Sequence, residues 1–172
     1  MKLGRFIREV KDFPKPGISF KDISPLLADA RAFATSVNEL VKPFRDQRIA
    51  LVCGIEARGF IFGASAASVL GCGFVPLRKP GKLPAAAIGI DFALEYGSDR
   101  LEMHADAIQP GSRVLLVDDV LATGGTLLAA ASLLRQAGAD LVGAAVLIEL
   151  LALSGRSRWN GLIPLHSIIS YD

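Results

Sequence analysis

The chain has 172 residues, 51% of them apolar and 21% charged, with a formal net charge of +2. That length and balance suit one α/β domain with a sizeable core, and they exclude a disordered or fibrous chain. So small a net charge leaves no footprint for nucleic acid, and no segment approaches the ~18 uninterrupted apolar residues of a membrane helix; the richest stretch, 141–153, is broken by Gly143 and Glu149.

The N-terminus, MKLGRFIREVKDFP, carries charges throughout and lacks the apolar core of a signal peptide. Leu3, Phe6, Ile7 and Val10 recur at helical spacing and predict a first helix that ends before Phe13-Pro14. Pro14, Pro16 and Gly17 punctuate a loop, crossed in extended form by residues 18–23. A second helix is predicted over 29–45 and a short apolar strand over 49–53, leading through Gly54-Ile55-Glu56-Ala57-Arg58-Gly59 into a small-residue helix over 60–70. The next strand is 73–77, a basic loop holding two prolines is 78–85, and strand-like runs around 87–96 and 100–105 form a hairpin. A strand from 114, a helix over 127–136 and a strand over 141–148 follow. Strands alternating with helices imply right-handed crossovers and a parallel sheet covered on both faces. Cys53 and Cys72 lie in apolar surroundings with no metal-ligand spacing, which points to packing and a reducing cytoplasm.

Residues 114–126, VLLVDDVLATGGT, carry the most specific signal. Val114, Leu115, Leu116 and Val117 make a buried-strand run, Asp118 and Asp119 follow at once, and Ala122, Thr123, Gly124, Gly125 and Thr126 lead into an Ala/Leu-rich helix. Free N–H groups at that helix start, with two threonine hydroxyls, form a cradle for phosphate. Glycine lets the backbone approach the anion and adopt positive φ. The carboxylates repel a phosphate; they suit sugar hydroxyls or a magnesium ion. A ligand with a terminal phosphate, a ribose and a metal-bound polyphosphate satisfies both halves. The bland alternative is an ordinary strand–turn–helix with a solvated acidic turn. A P-loop is excluded because no Lys follows the glycines, and a dinucleotide site because G-x-G-x-x-G spacing is absent.

Two further segments suit an anion. In the loop of Glu56, Ala57 and Arg58, a guanidinium near a helix start can clamp a pyrophosphate bidentately, although Arg58 alone also fits a surface residue on a tight turn. Arg78, Lys79 and Lys82, bracketed by Pro80, Gly81 and Pro84, form a mobile basic loop suited to the same pyrophosphate or simply to solvation.

The segment 114–126 closely resembles the 5-phosphoribosyl-1-pyrophosphate (PRPP) motif of type I phosphoribosyltransferases. With residues 13–25 (FPKPGISFKDISP), 78–84 (RKPGKLP) and 94–97 (LEYG), it makes the chain similar, from about residue 6 to residue 172, to the adenine-specific members of that family. The resemblance implies a type I phosphoribosyltransferase fold: a central, mainly parallel sheet flanked by helices, in one domain spanning 1–172, with an N-terminal base-binding flap over 1–27 and a flexible hairpin lid. It implies transfer of phosphoribosyl from PRPP to adenine, giving AMP and pyrophosphate, with Mg2+ held mainly through PRPP and water. It also implies a homodimer, with no nucleic-acid or membrane partner.

The same resemblance assigns roles. Phe20 would stack on adenine while the backbone of Ser19 and Lys21 reads its edge; plain flap packing is the other reading of Phe20. The 5′-phosphate would lie on Ala122, Thr123, Gly124, Gly125 and Thr126, the ribose hydroxyls near Asp118 and Asp119. Glu56, Ala57 and Arg58, with a cis peptide expected at Glu56–Ala57, would bind pyrophosphate together with Arg78, Lys79 and Lys82. Arg78 would reach the neighbouring subunit's pyrophosphate. Ala122 stands where 6-oxopurine enzymes carry an aspartate for N7, which leaves Glu95 as acid/base, its pKa raised when the hairpin closes; an exposed hairpin charge is the alternative. Tyr96 would help close the lid. The rivals are a phosphoribosyltransferase for another base and a non-catalytic PRPP-binding regulator. The second lacks both length for a DNA-binding appendage and a basic recognition helix.

Overall fold

The structure, a computed structural model, describes residues 1–93, 97–161 and 163–172. Its N-terminus corrects the first expectation. After a single 3₁₀ turn at Leu3–Phe6, the chain extends as β1 (Arg8–Lys11) and pairs antiparallel with β2 (Ser19–Asp22), Val10 opposite Phe20. Leu3, Phe6 and Ile7 do pack on the core, but Val10 does not. So short a helix carries the full penalty of nucleation, whereas the hairpin pairs the backbone groups that face each other across its two strands. Asp12, at φ 56, turns the chain and accepts the Gly17 N–H at 2.7 Å.

The expected helix over 29–45 is divided. A short α1 (Ser24–Ala28), with Pro25 in its first turn, precedes α2 (Ala30–Val41), where the Asp29 side chain caps the N-terminus by accepting the Ala32 N–H at 2.8 Å. Pro43 lacks the N–H that would continue the helix, so residues Lys42–Phe44 tighten into a 3₁₀ turn.

Beyond it come β3 (Leu51–Ile55), α3 (Gly59–Leu70), β4 (Gly73–Leu77), β5 (Ala87–Ala93) and β6 (Ser98–His104). They are followed by β7 (Arg113–Leu121), α4 (Gly125–Gln136), β8 (Asp140–Leu150), α5 (Gly155–Trp159) and β9 (Leu165–Tyr171). The main sheet runs β4-β3-β7-β8-β9, all neighbours parallel. Strand β7 shows why such strands read as continuous apolar runs: Val114 and Leu116 enter the core beneath α4, while Leu115 and Val117 enter the core beneath α2 and α3.

The signature strand is longer than predicted. It continues through the acidic pair to Leu121, with Asp118 opposite Val146 and Leu121 opposite Glu149, because β8 extends alongside and supplies the ladder. The hairpin of β5 and β6 packs on α4 and is tied to the end of β4 by paired backbone bonds between Arg78 and Glu102, both 2.8 Å. Strand β9 and α5 were not among the predicted elements.

Candidate active site

The carboxyl ends of β3 and β7 open into one cavity of about 420 Å³, where a parallel sheet characteristically binds its ligand. Loop 56–58 forms one wall and loop 122–126 the other, with Asp118, Asp119 and Lys79 between them. Two segments far apart in sequence are thus joined as expected.

Gly124 is the N-cap of α4, at φ 83, and no side chain caps this end, so the first N–H groups of a three-turn helix remain available to a ligand. A side chain at Gly124 would be strained by that φ, and its Cβ would lie 2.9 Å from the Gly155 carbonyl oxygen. Ala122, Thr123, Gly125 and Thr126 all line the cavity with it.

Asp118 and Asp119 are 9% and 5% exposed. The Asp119 N–H donates to Asp118 Oδ1 at 2.9 Å, and Asp118 packs against Gly59, the first residue of α3, so closely that a Cβ there would lie 2.7 Å from Oδ1. Asp119 Oδ2 lies 2.7 Å from Arg58 Nη2, an ion pair without hydrogen-bond alignment, and that oxygen has no other partner among the described residues. Burial, and then the charge of Asp119, pushes the Asp118 carboxyl well above the usual carboxylate range. Burial also raises Asp119, against the opposing pull of Arg58. A buried acidic pair with one cation between them is a site short of positive charge.

Arg58 lines the cavity, and its guanidinium also engages the flap. It lies over the Phe20 ring at 4.9 Å and donates from Nη1 to the Lys21 carbonyl oxygen at 3.4 Å. Ser19, Phe20 and Lys21 therefore flank the cavity through Arg58 rather than lining it. Phe13 meets Phe20 edge-on at 5.2 Å, and Lys21 Nζ donates to Glu9 at 3.0 Å.

The Glu56–Ala57 peptide is cis. Glu56 Oε2 accepts the Lys79 N–H at 3.0 Å and Arg78 Nε at 3.2 Å. Burial works to raise the Glu56 carboxyl, but these donors hold it below its ordinary value. Arg78 also donates to the Lys82 carbonyl at 3.0 Å, and Lys79 Nζ pairs with Asp99. The basic loop is thus braced against β6. Of its three cations Lys79 alone lines the cavity, and Lys82 is exposed. Glu95 and Tyr96 lie outside the described residues.

Sequence reasoning missed Asp99, Glu102, Gly155 and Arg158. The first two become visible only with the hairpin register; the last two had a local signal, S-G-R-S-R directly after an apolar run.

A family model described as the phosphoribosyl transferase domain matches residues 19–161. An adenine phosphoribosyltransferase of Xanthomonas campestris pv. campestris is 58% identical over 165 residues, covering 96% of this chain and 89% of the relative. The chain belongs to the adenine phosphoribosyltransferase family. The crystal structure of the family member from Rhodothermus marinus aligns with a TM-score of 0.94 at 49% identity, over 98% of this chain and 96% of that one. The Saccharomyces cerevisiae member, complexed with an imino-altritol bisphosphate and adenine, aligns with a TM-score of 0.89 at 38% identity, over 95% and 94%. The type I phosphoribosyltransferase fold expected from the sequence is the fold of this chain.

Proposed function

We propose that this protein transfers the 5-phosphoribosyl group from PRPP to adenine, giving AMP and pyrophosphate in purine salvage. The observation that carries the reading is the meeting, in one cavity, of an uncapped glycine helix start with a buried aspartate pair. The 5′-phosphate rests on the N–H groups of Ala122, Thr123, Gly124, Gly125 and Thr126. Asp118 and Asp119 hold the ribose hydroxyls and favour the positive charge that develops on the sugar as its C1–oxygen bond to pyrophosphate breaks. Arg58 and Lys79 at the cavity, with Arg78 and Lys82 behind it, stabilise the departing pyrophosphate.

Adenine N9 forms the new bond to C1 from the Phe20 side, its edge read by the backbone of Ser19 and Lys21. Glu95, two residues after the end of β5 in the sequence, handles the proton adenine releases, and Tyr96 helps exclude water. The nearness of β5 to the phosphate loop supports this reading: a Cβ on Gly125 would lie 3.7 Å from the Ala93 carbonyl oxygen.

Magnesium completes the reading. Among the described residues no group of three or more His, Cys, Asp or Glu side chains converges on a metal site. The two aspartates alone suit an ion held mainly through PRPP oxygens and water. When bound, it neutralises charge growing on pyrophosphate. The reading includes a homodimer, which sedimentation of the purified chain would test. A cytoplasmic location is supported by the free thiols Cys53 and Cys72. Burial pushes the Cys53 thiol up to about 12, so it is an inert packing group. Among the described residues no helix is long and apolar enough to cross a membrane.

The test is a panel of bases. With PRPP and magnesium, adenine should yield a nucleotide at least ~100-fold faster than guanine, xanthine or uracil, the discrimination expected of a site that hydrogen-bonds one base edge, and a chelator should stop the reaction. Faster turnover of another base, or none of any, overturns the assignment; turnover unaffected by chelation removes the metal from it.

A further inference from the structure

Helix α5 has no place in the chemistry described so far, yet it touches the phosphate loop backbone to backbone. The chain leaves a 3₁₀ turn at Leu151–Leu153, swings through Ser154 at φ 52, and presses Gly155 against the loop. A Cβ on Gly155 would collide with the Ala122 carbonyl oxygen and lie 3.0 Å from the Gly124 nitrogen. Conversely, a Cβ on Gly124 would lie 2.9 Å from the Gly155 carbonyl oxygen. No side chain fits between the two segments.

This placement is anchored from behind. Glu149 on β8 is only 3% exposed, and Arg156 grips both its oxygens, at 2.7 and 2.6 Å. Ser167 Oγ on β9 donates to the same carboxylate at 2.7 Å, and Arg156 donates to the Leu165 carbonyl oxygen at 2.9 Å. A bidentate guanidinium–carboxylate fork admits one orientation. Two residues on, Arg158 reaches the opposite way, and its Nη1 donates to the Thr123 carbonyl oxygen at 3.1 Å.

We infer that α5 buttresses the phosphate loop and that Arg158 is a positioning residue for the 5′-phosphate, an inference that rests on the phosphoribosyl reading of the cavity. In a trans peptide the C=O and N–H point in opposite directions. Holding the Thr123 oxygen on Arg158 therefore fixes the direction of the Gly124 N–H. Arg158 also brings a permanent charge beside the cradle, its Nη1 3.9 Å from where a Cβ on Gly125 would lie, while the described cations that line the cavity are already engaged, Arg58 with Asp119 and Lys79 with Asp99.

The test compares the full chain with Arg158→Ala and Arg158→Lys, titrated by calorimetry with ribose 5-phosphate and, separately, pyrophosphate. Arg158→Ala should weaken ribose 5-phosphate about tenfold and leave pyrophosphate within about twofold, with PRPP KM raised and kcat little changed. Arg158→Lys, which keeps charge and donor, should recover most of the loss. Arg158 is exposed, so its removal leaves the core intact. Unchanged binding of ribose 5-phosphate overturns the inference, as does equal weakening of both ligands, which would signal general loosening. If the unsubstituted chain binds neither ribose 5-phosphate nor PRPP, it is the phosphoribosyl reading itself that falls, and this inference with it.

Discussion

Replacing Asp118 and Asp119 together by asparagine should reduce AMP formation by at least about a thousandfold, since two charges aimed at a developing cation are lost at once. The fold should tolerate the change, because both sites keep a polar side chain of similar shape. The stability effect of Asp118→Asn alone has the opposite sign to the effect on activity. A carboxyl whose folded-state pKa is raised contributes stability that is fully present below its unfolded pKa and lost as pH rises through the folded value. Above its unfolded-state pKa, Asp118 is therefore a burden on the fold, produced by burial first and by Asp119 second. Asp118→Asn should raise the thermal midpoint at neutral pH by roughly 3 °C, the rise that about 1 kcal/mol gives in a domain of this size. The stability advantage of the variant over the unsubstituted protein should shrink as pH falls toward the unfolded carboxyl pKa, where the raised Asp118 carboxyl is protonated in both states. Turnover within tenfold of normal in the double variant would remove the proposed ribose role. A lowered midpoint in the single variant would show that Asp118 is stabilised by its surroundings rather than held there for function.

Gly124→Ala should reduce kcat/KM for PRPP by about a hundredfold, the scale on which a misplacement of about 1 Å acts. Two independent penalties fall on one methyl group. The residue sits at φ 83, a left-handed conformation costing an L side chain roughly 1–2 kcal/mol. Its Cβ also lies 2.9 Å from the Gly155 carbonyl oxygen, a backbone atom that cannot swing aside. The loop must shift, and the N–H groups that receive the phosphate shift with it. Steady-state kinetics with PRPP varied at saturating adenine would show the loss; kcat/KM within about threefold of normal would mean that the phosphate is held elsewhere.

What the sequence discloses depends on how local each feature is. Strands β3, β7 and β8 were legible because burial on both faces turns them into unbroken apolar runs. The stretch from Val114 to Thr126 was legible because strand, carboxylates, glycine turn and helix start follow one another without interruption. The N-terminal hairpin was misread because three of four apolar residues at helical spacing do pack on the core, while Val10 faces a strand partner that periodicity cannot reveal. Strand β9 went unseen because its residues are only partly buried at the sheet edge, and α5 because five residues give no period. Within the site, residue types were legible but their engagements were not. Arg58 reads as a free anion clamp until the fold brings Asp119, Phe20 and Lys21 to it. The basic loop reads as mobile until Asp99 and Glu102 arrive from β6.

The account depends on a helix start and two acidic side chains serving a single sugar phosphate. Isothermal titration of the folded, unsubstituted chain with PRPP in the presence of magnesium tests this most directly. One PRPP per chain should bind, and ribose 5-phosphate should compete for the same site. A well-folded protein that gives no heat with PRPP, or binds it without competition from ribose 5-phosphate, would contradict the account.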